Sequence, residues 1–407
     1  MPKVSSRSSG KGIGLVPLDS SGSWRGGRYY LHHLVRSVMS LPEPERVPLF
    51  DVHWGRADAE DTFEEVRSLM SGARVIAPPS GLLPRAARKV RRTIRGIRDA
   101  RDLFLDADIA ALFPILPCEN AGLPFVFWLS DFQYRHLPEL YTPQLLEWFA
   151  NHNNRNVAIA SRVVLSSQHA FDEFVQVYPK HAEKGRILRF SSIPDDEWWM
   201  CDPKIAVRKY HIDAPYVIVS NQFAHNKNHD VIFAAMQRLK LQGRRVELVC
   251  TGSTSGFHGG GYMERLQAYI AEHDLGGRIK LLGLVPRADQ IALLRGALAL
   301  LQPSRFEGWS TIIEDAKSIG QTVLASDFPV HCEQLGGAQG KILPMDDADI
   351  WADAISDLLD GRLSSGAKFS REEAEARADA AARITGRTFI SIMHEAEPSL
   401  VTPGAVV

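Results

Sequence analysis

Two carboxylates, Glu307 and Asp315, stand on either side of the run Gly308-Trp309-Ser310-Thr311, and Glu314 adjoins the second. Carboxylates repel phosphate, but they accept hydrogen bonds from hydroxyls such as a ribose diol or a sugar. The unpaired N–H groups that open a helix draw anions instead. Simpler roles fit the same residues. Thr311-Ile312-Ile313-Glu314 matches a capping box, Asp315 is a first-turn acid favoured by the helix dipole, and Glu307 is an ordinary loop acid.

The elements around these acids make up a βαβ unit. Residues 297–301 are an unbroken apolar run, the pattern of a parallel strand buried on both faces. A polar turn over 302–309 follows. Ile312, Ile313, Ala316 and Ile319 then recur at helical spacing until Gly320 ends the helix, and 322–325 is a second strand. In open α/β sheets ligands sit beyond the carboxyl ends of such strands.

The string P-S-x-F-E-G-W-S at 303–310, then Asp315-Ala316 and Gly320, resembles the donor-site signature of family 4 glycosyltransferases of GT-B fold. The resemblance implies that Glu307 contacts the donor sugar. It implies too that Asp315, where the family usually has Glu, holds the ribose diol. Glu314, one residue early, is left for the cap. The loop 221–229 stands where the family often has G-R-x-x-x-x-K. Lys227 keeps the lysine that grips the donor diphosphate, Gln222 replaces the arginine, and Arg305 is the candidate substitute cation.

Gly26-Gly27, after a first strand at 13–18, resembles the family's first loop and implies backbone contact with the diphosphate, helped by Arg25 and Arg28. Asp131-Phe132-Gln133, then Leu137-Pro138-Glu139, resembles a segment lying near the reacting sugar in some members, so Asp131, Gln133 and His136 fall on the acceptor side. A lone His136 is more often structural. The expected catalytic set is Glu307, Lys227 and Asp131. The donor set adds Gly26, Gly27, Gln222, Gly252, Arg305, Gly308, Trp309, Ser310, Thr311, Glu314 and Asp315.

The resemblance implies a hexosyl-type transferase that moves sugar from a nucleotide-sugar donor to a hydroxyl, with retention, without a metal and without a cofactor. No Ser-His-Asp or Cys-His set is evident, which agrees with a mechanism lacking a protein nucleophile. A sugar-nucleotide epimerase of similar fold, and an inactive sugar-nucleotide-binding subunit, are the rival expectations. The spaced glycine fingerprint of a dinucleotide fold is absent, which disfavours a dehydrogenase.

A chain of 407 residues, 45% hydrophobic and 23% charged, has ample core for two α/β domains. The expected division is 1–205, a donor domain at 206–375, and a last helix with tail at 376–407 that packs back on the first domain. Both halves are expected to be Rossmann-like and to face across a cleft. A net charge of −1 provides no field for nucleic acid. Four scattered cysteines without CxxC suggest neither zinc nor disulfides and fit a reduced cytoplasm. No signal peptide or bilayer-length apolar run is visible.

Residues 82–105 pattern as an amphipathic helix carrying eight basic residues between Arg85 and Arg101. Its bland role is a core helix with a solvated cationic face. Its sharper role is docking on an anionic membrane surface, suited to a lipid-linked acceptor and a peripheral site on the inner face of the cell membrane. Asp106-Ala107-Asp108 reads as a helix-to-strand turn, despite its D-x-D form.

Overall fold

A computed structural model describes residues 11–18, 25–55, 62–76, 100–118, 121–254, 261–336 and 340–400. All its strands pair in parallel. In the first half they are β1 (Gly12–Leu15), β2 (Leu49–Trp54), β3 (Ala73–Ile76), β4 (Ile109–Phe113), β5 (Val126–Trp128), β6 (Arg162–Leu165) and β7 (Gly185–Ile187). They form sheets of order β3-β2-β1-β4 and β5-β6-β7, joined by a parallel bridge between Leu112 and Phe125.

The second half carries β8 (Tyr216–Ser220), β9 (Glu247–Thr251), β10 (Ile279–Gly283), β11 (Leu300–Gln302), β12 (Val323–Ser326) and β13 (Gly340–Leu343). They make one six-stranded sheet in the order β10-β9-β8-β11-β12-β13. The central strands are buried throughout, as their continuous apolar runs require.

Helix Arg25–Met39 starts earlier than residue 29, its sequence-predicted beginning, and covers β1 with Tyr30, Leu31, Leu34, Val35 and Val38. The final helix, Arg371–Ala396, opens on a full capping box between Ser370 and Glu373. Its far end delivers Phe389, Ile390 and Met393 into the same first-half core. Close approach of the two helices depends on Gly386, where a Cβ would fall 2.4 Å from Ser37 O.

The polar stretch 191–215, which reads from sequence as the interdomain linker, holds two short helices, Glu197–Met200 and Pro203–Lys209. The Asp202 side chain accepts the Lys204 N–H at 2.8 Å, and Pro203 sits at the first helical position, both ordinary ways to start a helix. Trp198 is buried against the second sheet's core.

The basic helix expected at 82–105 lies outside the described residues except for its end, helix Ala100–Asp106, which turns through Asp108 (φ 63°) into β4. No described helix is long and apolar enough to cross a membrane. None of the four cysteines forms a disulfide in the described residues.

Candidate active site

Strand order in the second sheet reverses between β8 and β11, so the loops leaving these strands flank the kind of crevice where open α/β sheets bind ligands. Side chains stitch the two loops together. Asn221 Nδ2 donates to Gln302 Oε1 at 2.8 Å, and the Arg305 N–H donates to Asn226 O at 2.8 Å. Asn228 Nδ2 donates to Pro303 O at 3.2 Å and Met345 O at 3.0 Å. Asn228 ends the short turn His225–Lys227 at φ 53°, a left-handed conformation that asparagine tolerates.

That turn brings Lys227 Nζ to 2.7 Å from Glu307 Oε1, and Gln302 Nε2 donates to the same oxygen at 2.8 Å. Burial pushes the Glu307 carboxyl up, but the charge of Lys227 and hydrogen bonds from Lys227 and Ser304 hold it below the usual range. Glu307 is therefore a carboxylate at neutral pH. His331, fully buried, donates or accepts through Nδ1 with Ser326 Oγ at 2.9 Å, and burial lowers it to about 4. It is neutral, and its Nε2 has no protein partner.

Asp131 approaches the pair from beyond β5, with Gly308 packed against it. Burial raises its carboxyl, as does the Glu307 charge, while the Gln133 N–H (2.9 Å to Oδ1) and Lys227 pull the other way. Gln133 Nε2 is buried and without a partner beside it. The structure thus gathers Lys227, Glu307, Asp131 and Gln133 at one place.

Other expected site residues turn elsewhere. Both oxygens of Asp315 are already engaged, Oδ1 by Ser192 Oγ at 2.6 Å and Oδ2 by Arg287 Nη2 at 2.9 Å. The short acid stays in the seam between the two halves. There Arg287 lies over the rings of Tyr29 (4.9 Å) and Trp198 (5.1 Å). Trp309 packs its ring on the first-half core and donates Nε1–H to Phe190 O at 3.1 Å. Arg305 pairs with Asp346 at 2.7 Å, and Arg28 with Glu65 at 3.0 Å.

The capping box at Thr311–Glu314 does not form. Ser310 is the N-cap of helix Thr311–Ser318 and makes no side-chain cap bond. Gln334, from the following helix, takes that job: its amide accepts the Ser310 N–H and donates to Ser310 O, each at 3.0 Å. Glu314 is buried with its carboxyl raised by that burial, and it accepts from Lys317 (2.9 Å) and Gln334 (3.1 Å).

Gln222 is exposed in the loop after β8, and the Gly252 N–H donates to Gly283 O at 2.9 Å at the end of β9. Gly26 and Gly27 lie in the first turn of helix Arg25–Met39, while the loop before them lies outside the described residues. His136 pairs with Glu173, and its ring centroid is 5.1 Å from that of Phe306. Among the described residues, one group of side chains could hold a metal ion: His136, His169 and Glu173.

Gln302, Asn228, Arg287, Ser192 and Gln334 escape the sequence reading. Asn228, following Lys227 at the end of a turn, carried a weak local signal, and Gln302 meets Glu307 within its own turn, whereas Arg287, Ser192 and Gln334 act through long-range contacts.

The loops that carry Lys227 and Glu307 fall inside a recognised family region. Residues 205–381 match Glycosyl transferases group 1. Phosphatidyl-myo-inositol mannosyltransferase of Mycolicibacterium smegmatis is 29% identical over 143 residues, covering 34% of this chain and 35% of that protein. The chain thus matches about a third of the length of that curated relative.

Solved structures align over nearly the whole chain. HepE of Anabaena in complex with UDP and glucose has a TM-score of 0.59 at 14% identity, covering 98% of this chain and all of that one, 100%. A glycosyltransferase of Rickettsia africae gives 0.62 at 14% identity, with 97% and 96% covered. Sucrose-phosphate synthase of Thermosynechococcus elongatus gives 0.57 at 15%, with 96% of each chain covered. The architecture of the two parallel sheets is GT-B.

Proposed function

We propose that this chain is a glycosyltransferase that moves a hexosyl group from a nucleotide-diphosphate sugar to a hydroxyl acceptor, with retention and without a metal. The observation that carries this is the Lys227–Glu307 pair, placed beyond the ends of β8 and β11 and facing Asp131. Lys227 takes the diphosphate, together with the backbone N–H groups at the Gly26-Gly27 helix start. A bound diphosphate draws Lys227 partly from Glu307, whose freed oxygen accepts a sugar hydroxyl. Gln302 keeps its amide on Glu307 and fixes the direction of the carboxylate.

Asp131 and Gln133 contact the acceptor hydroxyl. The acceptor attacks on the face from which the diphosphate departs, and Lys227 stabilises the charge that grows on the leaving oxygen. No protein nucleophile is needed. Asp315 is buried and already accepts from Ser192 and Arg287, so its reaching a ribose diol requires the seam to open, and nucleoside binding is coupled to the seam.

The acceptor is a glycan or a lipid-linked glycan, in a polysaccharide-building role at the inner face of the cell membrane. The basic run from Arg85 to Arg101 supports a membrane-proximal acceptor, as does the lipid acceptor in the name of the Mycolicibacterium relative.

A thermal-shift screen with a panel of nucleotide sugars tests the proposal, because a ligand of the folded state raises its melting temperature. A shift with at least one donor, lost in Lys227→Ala, is expected. No shift with any nucleotide sugar would overturn it. Conversion of the sugar nucleotide without an acceptor would assign an epimerase. Binding without release of nucleoside diphosphate would assign an inactive subunit.

A further inference from the structure

Helix Gln168–Val177 places His169 and Glu173 four residues apart, on one face. His136, at the end of the short helix Gln133–His136, meets them from the neighbouring loop. One ligand atom from each residue lies within 4.8 Å of the other two. His136 Nε2 contacts Glu173 Oε1, so the carboxylate sits between two imidazoles.

The contact between His169 Nε2 and Glu173 Oε2 is the informative one. The atoms are 3.7 Å apart, too far for a hydrogen bond. Each is buried, and neither has a hydrogen-bond partner in the protein. Two buried polar atoms left in this way are unfavourable unless something else satisfies them. Two ligands at ~2.1 Å from a tetrahedral zinc ion stand ~3.4 Å apart, close to the observed spacing.

We propose that His136, His169 and Glu173 bind a divalent transition-metal ion of the zinc class, through two imidazole nitrogens and a carboxylate, with the fourth position open. Imidazole and carboxylate donors together suit such ions better than Mg²⁺ or Ca²⁺, which take oxygen ligands. The second half of the chain roofs the cluster. Phe306 lies 5.1 Å from the His136 ring, and Phe328 lies 5.4 Å from the His169 ring. Phe306 directly precedes Glu307, so a bound ion would tie the mouth of the cleft to the turn that carries the donor-side acid. The proposal stands apart from the transferase chemistry, in which the leaving group is neutralised by Lys227.

The test uses the full chain, freed of metal with a chelator and titrated with ZnCl₂ by calorimetry and with CoCl₂ by visible absorption. One equivalent of either ion is expected to bind and raise the melting temperature, with low-coordinate Co²⁺ ligand-field bands. His169→Ala and Glu173→Gln each weaken binding at least tenfold, whereas His181→Ala, outside the cluster, leaves it unchanged. Melting curves taken without metal establish that the variants are folded, and His136→Gln replaces either one that is not. No binding to the parent chain, or equal binding by parent and cluster variants, would show that the three residues are only a hydrogen-bonded charge pair and would overturn the proposal.

Discussion

Gly308 lies flat against Asp131: a Cβ built on it would fall 2.9 Å from Asp131 Oδ2 and 2.7 Å from Ser130 O. The turn carrying Glu307 and the loop carrying Asp131 therefore touch across the two halves of the chain. A single methyl group is enough to pry them apart. Overpacking of this kind is unfavourable by about 1–3 kcal/mol, and about 1.4 kcal/mol is tenfold in rate. Gly308→Ala is expected to lower kcat/KM by about five- to 150-fold while changing nucleotide affinity less than about threefold. Initial rates set against thermal shifts check this, and full activity would mean that the contact has no part in the proposed reaction.

Lys227 and Glu307 form a nearly buried pair, and Lys227→Met leaves an uncompensated carboxylate behind. Removing one partner of such a pair typically lowers stability by about 3 kcal/mol or more. The double variant Lys227→Met/Glu307→Gln has no stranded charge and is expected to recover most of that loss, but not the response to nucleotide sugar. Urea midpoints and ligand shifts on the same samples separate the two effects. Recovery of both would remove Lys227 from the donor site.

Ser192, Arg287 and Asp315 support a sharper comparison. Asp315→Ala strands the buried Arg287 guanidinium and is expected to lower stability by about 3 kcal/mol, so its loss of ligand response is not informative alone. Ser192→Ala removes one hydrogen bond, worth about 1 kcal/mol, and frees Asp315 Oδ1. If Asp315 turns to a ribose on binding, Ser192→Ala should tighten nucleotide affinity by a few fold in a titration. Weaker affinity would place Asp315 in the seam permanently.

That seam marks the limit of what the amino-acid order revealed. The apolar run at 297–301, the helical spacing of Ile312, Ile313 and Ala316, and the stop at Gly320 made the central βαβ unit readable, because each signal is local. Strand β13 was missed because only Leu343 of its four residues is fully buried, so no apolar run announces it. The cap on helix Thr311–Ser318 was misassigned because Gln334, twenty residues beyond Glu314, makes the contact instead. Arg287 and Ser192 meet Asp315 only once both halves have folded. A string of residues places an acid beside a turn, but it does not say which oxygens are already taken.

Buried histidines, His331 and His229 among them, shape how stability depends on pH. Burial lowers His331 to about 4 and His229 to about 3, and neither ring is protonated in the fold at mildly acid pH. The unfolded chain takes up these protons near pH 6.5. Stability is therefore complete above that value. Below it, stability falls by about 1.4 kcal/mol per pH unit for each histidine, until the folded values are reached. Glu307, held below the ordinary carboxylate range, adds its own loss only below about pH 4.5, as the pH falls toward its folded value. The interval between pH 6.5 and 4.5 is thus shared by His331, His229 and the likewise buried His33, with His32, His152 and His225, also lowered by burial, adding to it. His331→Gln should lose about 1 kcal/mol at neutral pH with its Ser326 hydrogen bond, yet show a slope shallower than the parent's by about 1.4 kcal/mol per pH unit across that interval. Urea midpoints at pH 7, 6 and 5 measure it, and an unchanged slope would assign the acid sensitivity to other groups.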